Sequence, residues 1–137
     1  MSESGVDVRR DLVGVDWAAL KADLAADHFD NGRTPDELRR SFEVSYATAI
    51  VWHDGRVVST ARMLADGVCN AYIVDVWTLT PYRRRGMASA VVRDLIERVP
   101  GHHVALFTDA RTDFYRTLGF GDEPGGMSLV AGHWLNR

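Results

Sequence analysis

The chain has 137 residues, is 46% hydrophobic and carries a formal charge of −3, which suits one packed domain and leaves no room for a second of ordinary size. A net acidic chain is not built to coat nucleic acid, so an anionic partner must meet a local patch. Its single cysteine, Cys69, excludes an internal disulfide, and no apolar run reaches secretory-leader length or the roughly 18 residues of a membrane span; a cytoplasmic protein without membrane contact is the expectation.

In chain order, residues 1–10 are polar, and partial mobility is expected of them. Trp17, Leu20 and Leu24 recur at spacings of three and four, predicting a helix over residues 16–27. After the Asn31-Gly32 turn, Thr34-Pro35-Asp36-Glu37 supplies a cap, a proline at the first helical position and a glutamate three residues past the cap. A short helix follows, with Leu38 and Phe42 on one side. Residues 46–52 and 56–64 are β-rich and flank Asp54-Gly55, a pair that accepts the positive φ of a type I′ turn. Asp66-Gly67 repeats the device before a third strand over residues 70–79. The three strands form an antiparallel meander.

The period then changes. Met87, Val91, Leu95 and Val99 recur four apart with charges opposite, predicting an amphipathic helix over residues 86–99, stopped by Pro100-Gly101. Residues 103–108 read as a short strand. Residues 111–118 read as a helix with Gly119 as C-cap and Phe120 packed back on Phe114 or Tyr115. Ala110, Phe114 and Leu118 are taken as its core face, which leaves Tyr115 toward a cleft. Residues 127–130 read as a last strand, with Trp134 anchoring the tail. Strand, helix and strand over residues 70–108 make a βαβ unit with parallel strands and a right-handed crossover, so the fold class is α/β with a mixed sheet.

The segment Thr-Pro-Tyr-Arg-Arg-Arg-Gly-Met-Ala-Ser-Ala, residues 80–90, lies between that strand and that helix. The first N–H groups of a helix lack internal partners and attract phosphate oxygens. Gly86 permits a tight turn and close approach, Ala88 keeps the next turn small, Ser89 adds a hydroxyl, and Arg83, Arg84 and Arg85 add charge. The loop suits a diphosphate. It is neither a Walker loop, lacking Gly-Lys-Ser/Thr, nor a G-x-G-x-x-G dinucleotide fingerprint.

The run from Arg83 through Gly86 to Ala88 resembles the R/Q-x-x-G-x-G/A signature of the GCN5-related N-acetyltransferases. Phe-Tyr-Arg-Thr-Leu-Gly-Phe, residues 114–120, is similar to that family's second signature, and the strand Tyr-Ile-Val-Asp-Val-Trp-Thr-Leu to the strand before its cofactor loop. The resemblance covers roughly residues 45–130, with the first 45 fitting loosely as two helices. It implies a mostly antiparallel sheet with helices on both faces, acetyl-CoA as cosubstrate and an amine as acceptor. Amides of Arg84, Arg85, Gly86, Met87 and Ala88 would hold the pyrophosphate, with Arg83 and Ser89 beside them. A bulge in the strand would open a gap for the pantetheine arm at Val76, Trp77 and Thr78, with a backbone N–H there, Thr78 foremost, polarising the thioester carbonyl. Pro81 stands one residue later than the proline common in that family.

Tyr115 matches the family's tyrosine. A phenol of pKa about 10 is protonated at neutral pH and can hand a proton to a departing thiolate. Asp75, on a strand face taken to hold Ile73 and Trp77 as well, is the candidate general base; its alternative is to hydrogen-bond nearby backbone. Glu43 and Tyr72 stand behind Asp75 as candidates for the base, and Phe29, Glu43 and Tyr72 are candidate acceptor contacts, the resemblance placing the acceptor pocket around residues 27–45. No His/Cys/Asp/Glu spacing suggests a metal, and neither His53, His102 nor His103 is placed in catalysis. A small-molecule amine is the expected acceptor, ahead of a protein. A homodimer through the last strand or the Trp134 tail stays open. The competing readings are a non-catalytic acyl-CoA sensor and an Arg-patch nucleic-acid binder, the second disfavoured by net charge.

Overall fold

Residues 5–135 are described by a computed structural model. Helix α1 (Trp17–Ala26) starts where Asp16 accepts the Ala19 N–H at 3.0 Å. Helix α2 (Pro35–Glu43) opens with a reciprocal box: Glu37 N–H donates to Thr34 Oγ1 at 3.1 Å and Thr34 N–H to Glu37 Oε1 at 2.9 Å. Each bond satisfies a donor the helix itself cannot. Strands β1 (Ala47–His53), β2 (Arg56–Ala65) and β3 (Asn70–Thr78) form the antiparallel meander. Asp54 and Gly55 both have positive φ at the first turn, the geometry that the Asp-Gly pair favours.

Helix α3 (Met87–Glu97) crosses over to β4 (His103–Ala105), which lies parallel to β3. The sheet order is β1-β2-β3-β4, a mixed sheet with helices on both faces. Leu20, Leu24, Leu38 and Phe42 from the first two helices, Ile50, Val58, Ala61, Met63 and Ile73 from the sheet, and Val91, Val92 and Leu95 from α3 form one buried core. Each fully buried aliphatic side chain contributes about 1.5–3 kcal/mol. Helix α4 (Thr112–Thr117) ends at Gly119, whose φ of 97° continues the turn.

Three expectations are corrected. Residues 127–130 form no strand: Met127 is 94% and Leu129 87% exposed. The Gly125-Gly126 pair before them favours a turn over a strand, and no described strand pairs with this segment. The strand expected over residues 103–108 pairs only to Ala105, because β3 bends away beyond it. On α4, Ala110 is exposed, and the residues packed on the core are Tyr115, Leu118 and Phe120 rather than Phe114. Residues 1–4, part of the expected mobile lead, lie outside the described residues; Arg9 exchanges backbone hydrogen bonds with Ile50 at 2.8 and 2.9 Å.

Candidate active site

β3 and β4 are joined at Asn70–His103, Ala71–Val104 and Tyr72–Ala105, and then they part. The cause lies in β3. Between the pairs Thr60–Trp77 and Arg62–Val74, β2 advances two residues and β3 three, so β3 carries one extra residue at a bulge. Asp75 sits in it with φ 55°. The bulge also breaks the alternation assumed from sequence. Val74 and Trp77 oppose Arg62 and Thr60 on one face, while Ile73 opposes Met63 on the other, so Ile73 and Trp77 do not share a face.

The splayed strands open a cavity of about 670 Å³. Val76, Trp77 and Thr78 line it from β3 and Leu106, Phe107 and Thr108 from the segment after β4, together with Phe29, Phe114 and Tyr115. The Leu79 N–H bonds Val58 O at 2.8 Å. In an antiparallel ladder alternate amides point to opposite sides, so the Thr78 N–H faces away from β2, into the gap.

At the other end lies the arginine loop. A single 3-10 turn over Thr80–Tyr82 leads out of β3. Arg83 donates from Nε to Thr78 O at 3.1 Å and so tethers the loop to the strand. Arg84 (φ 66°) and Gly86 (φ 80°) are both left-handed, a backbone sequence that turns successive N–H groups into a concave anion nest. Gly86 caps α3 without a side-chain bond, and the first intrahelical bond runs from Ala90 N–H to Gly86 O. The amides of Met87, Ala88 and Ser89 are therefore left for a ligand. Arg83, Arg84, Gly86, Met87, Ala88 and Ser89 all line the cavity. Arg85 does not; its guanidinium stacks over Tyr82 at 5.2 Å, and Tyr82 Oη meets His53 Nδ1 at 2.8 Å. These residues fit a diphosphate on a long acyl-bearing arm: nest and arginines at one end, a narrow strand-lined gap beyond.

Tyr115 has its ring 4.9 Å from Phe114 and 5.7 Å from Phe120. No described residue hydrogen-bonds its hydroxyl. Burial raises its pKa above the ordinary phenol value, against a smaller opposing pull from Arg111, so it stays protonated at neutral pH.

Asp75 is held quite differently from a free base. Arg33 grips both carboxylate oxygens from Nη1 and Nη2, each at 3.0 Å, and Arg62 Nε donates to Oδ2 at 2.5 Å. Burial alone would raise its pKa, but the hydrogen bonds and charges of Arg33 and then Arg62 outweigh that and hold it below the usual carboxylate range. A carboxylate so stabilised accepts protons poorly. Asp27 is a second hub: it accepts from Trp77 Nε1 at 3.0 Å, Thr80 N–H at 3.1 Å and Thr80 Oγ1 at 2.7 Å. Of the acceptor candidates, only Phe29 reaches the cavity. Glu43 is paired with Arg39 at 2.8 Å, and Tyr72 stands edge-on to Phe107 with ring centroids 5.8 Å apart. Arg62 and Asp27 were not singled out from sequence; an arginine between Ala61 and Met63 in the interior of a strand was the available signal for Arg62. Among the described residues, no three His, Cys, Asp or Glu side chains are grouped to hold a metal ion, and no helix is long and apolar enough to cross a membrane.

The four-stranded mixed sheet with its helices matches the fold of GNAT acyl-CoA N-acyltransferases. Residues 16–120 match the Acetyltransferase (GNAT) family, and the chain belongs to that family of acyltransferases. It is similar to a soybean (Glycine max) protein named histone acetyltransferase TAP1, 35% identical over 77 residues, covering 53% of this chain and 33% of that protein; the chain thus spans about a third of the length of the curated relatives it matches. In fold it resembles a GNAT-family acetyltransferase from Streptococcus pneumoniae, with TM-score 0.77, 20% identity and coverage of 93% of this chain and 99% of that one. It also resembles glucosamine-6-phosphate N-acetyltransferase from Arabidopsis thaliana, with TM-score 0.68, 17% identity and coverage of 90% and 97%.

Proposed function

We propose that this chain transfers an acetyl group from acetyl-CoA to the primary amine of a small molecule. The observation that carries the reading is that the anion nest, the bulged strand and Tyr115 all line one cavity. Bound acetyl-CoA would supply an activated acyl carbon: an N–C bond forms to it, the C–S bond breaks, and the sulfur leaves with the bonding pair. Arg83, Arg84 and the amides from Gly86 to Ser89 hold the phosphates. The Thr78 N–H donates to the carbonyl oxygen, where charge gathers during attack. The Tyr115 phenol gives its proton to the leaving sulfur and regains one from the amine by way of solvent.

Among the described residues, Asp75 is the only carboxylate lining the cavity, and both of its oxygens are engaged. The amine therefore loses its proton to water rather than to a dedicated side chain, so the rate rises with pH until the free amine predominates. The same observation favours a small amine over a lysine-rich protein tail, since the Asp75 carboxylate is already engaged and is not free to gather one. It also supports the second reading, a module that binds acyl-CoA without turnover. The relatives' names point to both a protein amine and a sugar amine, and sequence likeness does not choose between them.

The test follows thiol release from acetyl-CoA across a panel of aliphatic, aromatic and sugar amines. Release that depends on one amine class supports the enzyme. Acetyl-CoA binding with no amine-dependent release across the panel supports the sensor.

A further inference from the structure

We propose that Arg33 and Arg62 are positioning residues that hold bulged β3 in its cofactor-facing shape through the carboxylate of Asp75. The inference rests on the acetyl-CoA reading above. Asp75 has φ 55°, a left-handed conformation that non-glycine residues adopt at a cost and keep only where the surroundings over-determine it. Here they do. Arg33 binds the carboxylate with both ends of its fork, Arg62 adds a third charged bond, and Thr60 Oγ1 donates to the Asp75 carbonyl at 2.9 Å.

The arginines are themselves fixed. Arg33, only 5% exposed, donates from Nε to Asn31 Oδ1 at 2.7 Å and from Nη1 to Ser41 Oγ at 2.9 Å. Arg62 donates to Ser41 O at 3.3 Å and lies over the Phe42 ring at 5.8 Å. The turn before α2 and the body of α2 therefore aim both guanidiniums at a single residue of β3. Two buried cations around one anion are a poor way to stabilise a core, because apolar side chains of similar volume commonly serve as well. Their value here lies in shape. A bulge released at Asp75 would let β3 regain regular pairing with β2, and a one-residue change of register turns every side chain and amide beyond it to the other side. The Thr78 amide would then leave the gap.

The clamp acts on the strand-lined gap and not on the arginine loop, which gives it a distinctive signature. Wild type, Arg33→Lys and Arg62→Lys are each titrated by calorimetry with acetyl-CoA and with 3′-phospho-ADP, the nucleotide half that reaches only the loop. Lysine keeps the charge and loses the planar fork. Both variants are expected to bind 3′-phospho-ADP within about twofold of wild type and acetyl-CoA at least about tenfold more weakly. Unchanged acetyl-CoA affinity, or equal weakening toward both ligands, overturns the clamp while leaving the cofactor reading intact. A wild type that binds neither ligand overturns the cofactor reading itself. Should a lysine variant not fold, Asp75→Asn, which retains an acceptor oxygen but not the charge, must give the same split between the two ligands, and its absence overturns the proposal.

Discussion

Replacing Tyr115 by phenylalanine removes one oxygen and leaves everything else in place. The ring keeps its edge contacts with Phe114 and Phe120, and the hydroxyl gives up no described hydrogen-bond partner, so stability should change by no more than about 0.5 kcal/mol. Acetyl-CoA affinity should hold, because the nest and the strand are untouched. Loss of a positioned general acid costs about 100- to 10,000-fold in kcat, equivalent to about 2.7–5.4 kcal/mol of barrier. The pH profile gives the sign. The donor must carry its proton, so wild-type activity falls as pH rises through the phenol pKa, which burial has raised; the variant has no such alkaline loss. Thiol release measured with the best amine of the panel, with calorimetric affinity and a melting curve beside it, decides the matter. A variant with wild-type kcat at neutral pH refutes the role of Tyr115.

Other outcomes follow from the same structure. Gly86→Asp places a carboxylate at the mouth of the nest and a side chain at φ 80°, and should weaken acetyl-CoA binding about 100-fold or more, read by calorimetry. Thr34→Ala removes half of the α2 capping box and should cost about 0.5–2 kcal/mol in urea unfolding. Leu95→Ala empties a site that is fully buried and should cost about 2–5 kcal/mol in the same assay. Asp27 and Asp75 have pKa values below those of an unfolded chain. Their stabilisation is present above the unfolded value of about 4 and is lost as pH falls through the folded values, so unfolding midpoints should drop across that acid window, and less in Asp75→Asn.

Features written in neighbouring residues were legible from sequence: the Thr34 capping box, the Asp54-Gly55 hairpin, the α3 stripe and the arginine-glycine loop each depend on side chains a few positions apart. What escaped depends on distance. Arg33 and Asp75 are 42 residues apart, and no local pattern announces that they meet, so an aspartate on the key strand read as a base. The bulge was implied only by family resemblance, because period-2 reasoning places Ile73, Asp75 and Trp77 on one face. The strand expected at residues 127–130 was read from composition alone, and composition does not provide a pairing partner. On α4, helical geometry separated Phe114 from Tyr115 correctly in angle but assigned the core to the wrong one, since the position of a short terminal helix is set by the sheet beneath it.

If the loop and gap form an acetyl-CoA site, the protein binds that molecule through them. The most direct measurement is calorimetric titration of the purified protein with acetyl-CoA, with ATP and NADH as controls, paired with melting at about 100 times the dissociation constant, where stabilisation should be about 2.7 kcal/mol. Saturable binding of acetyl-CoA, absent with both controls and lost in Gly86→Asp, is the predicted result. No heat and no melting shift at millimolar acetyl-CoA would contradict it and return Arg83, Arg84 and Arg85 to the role of solvated surface charge.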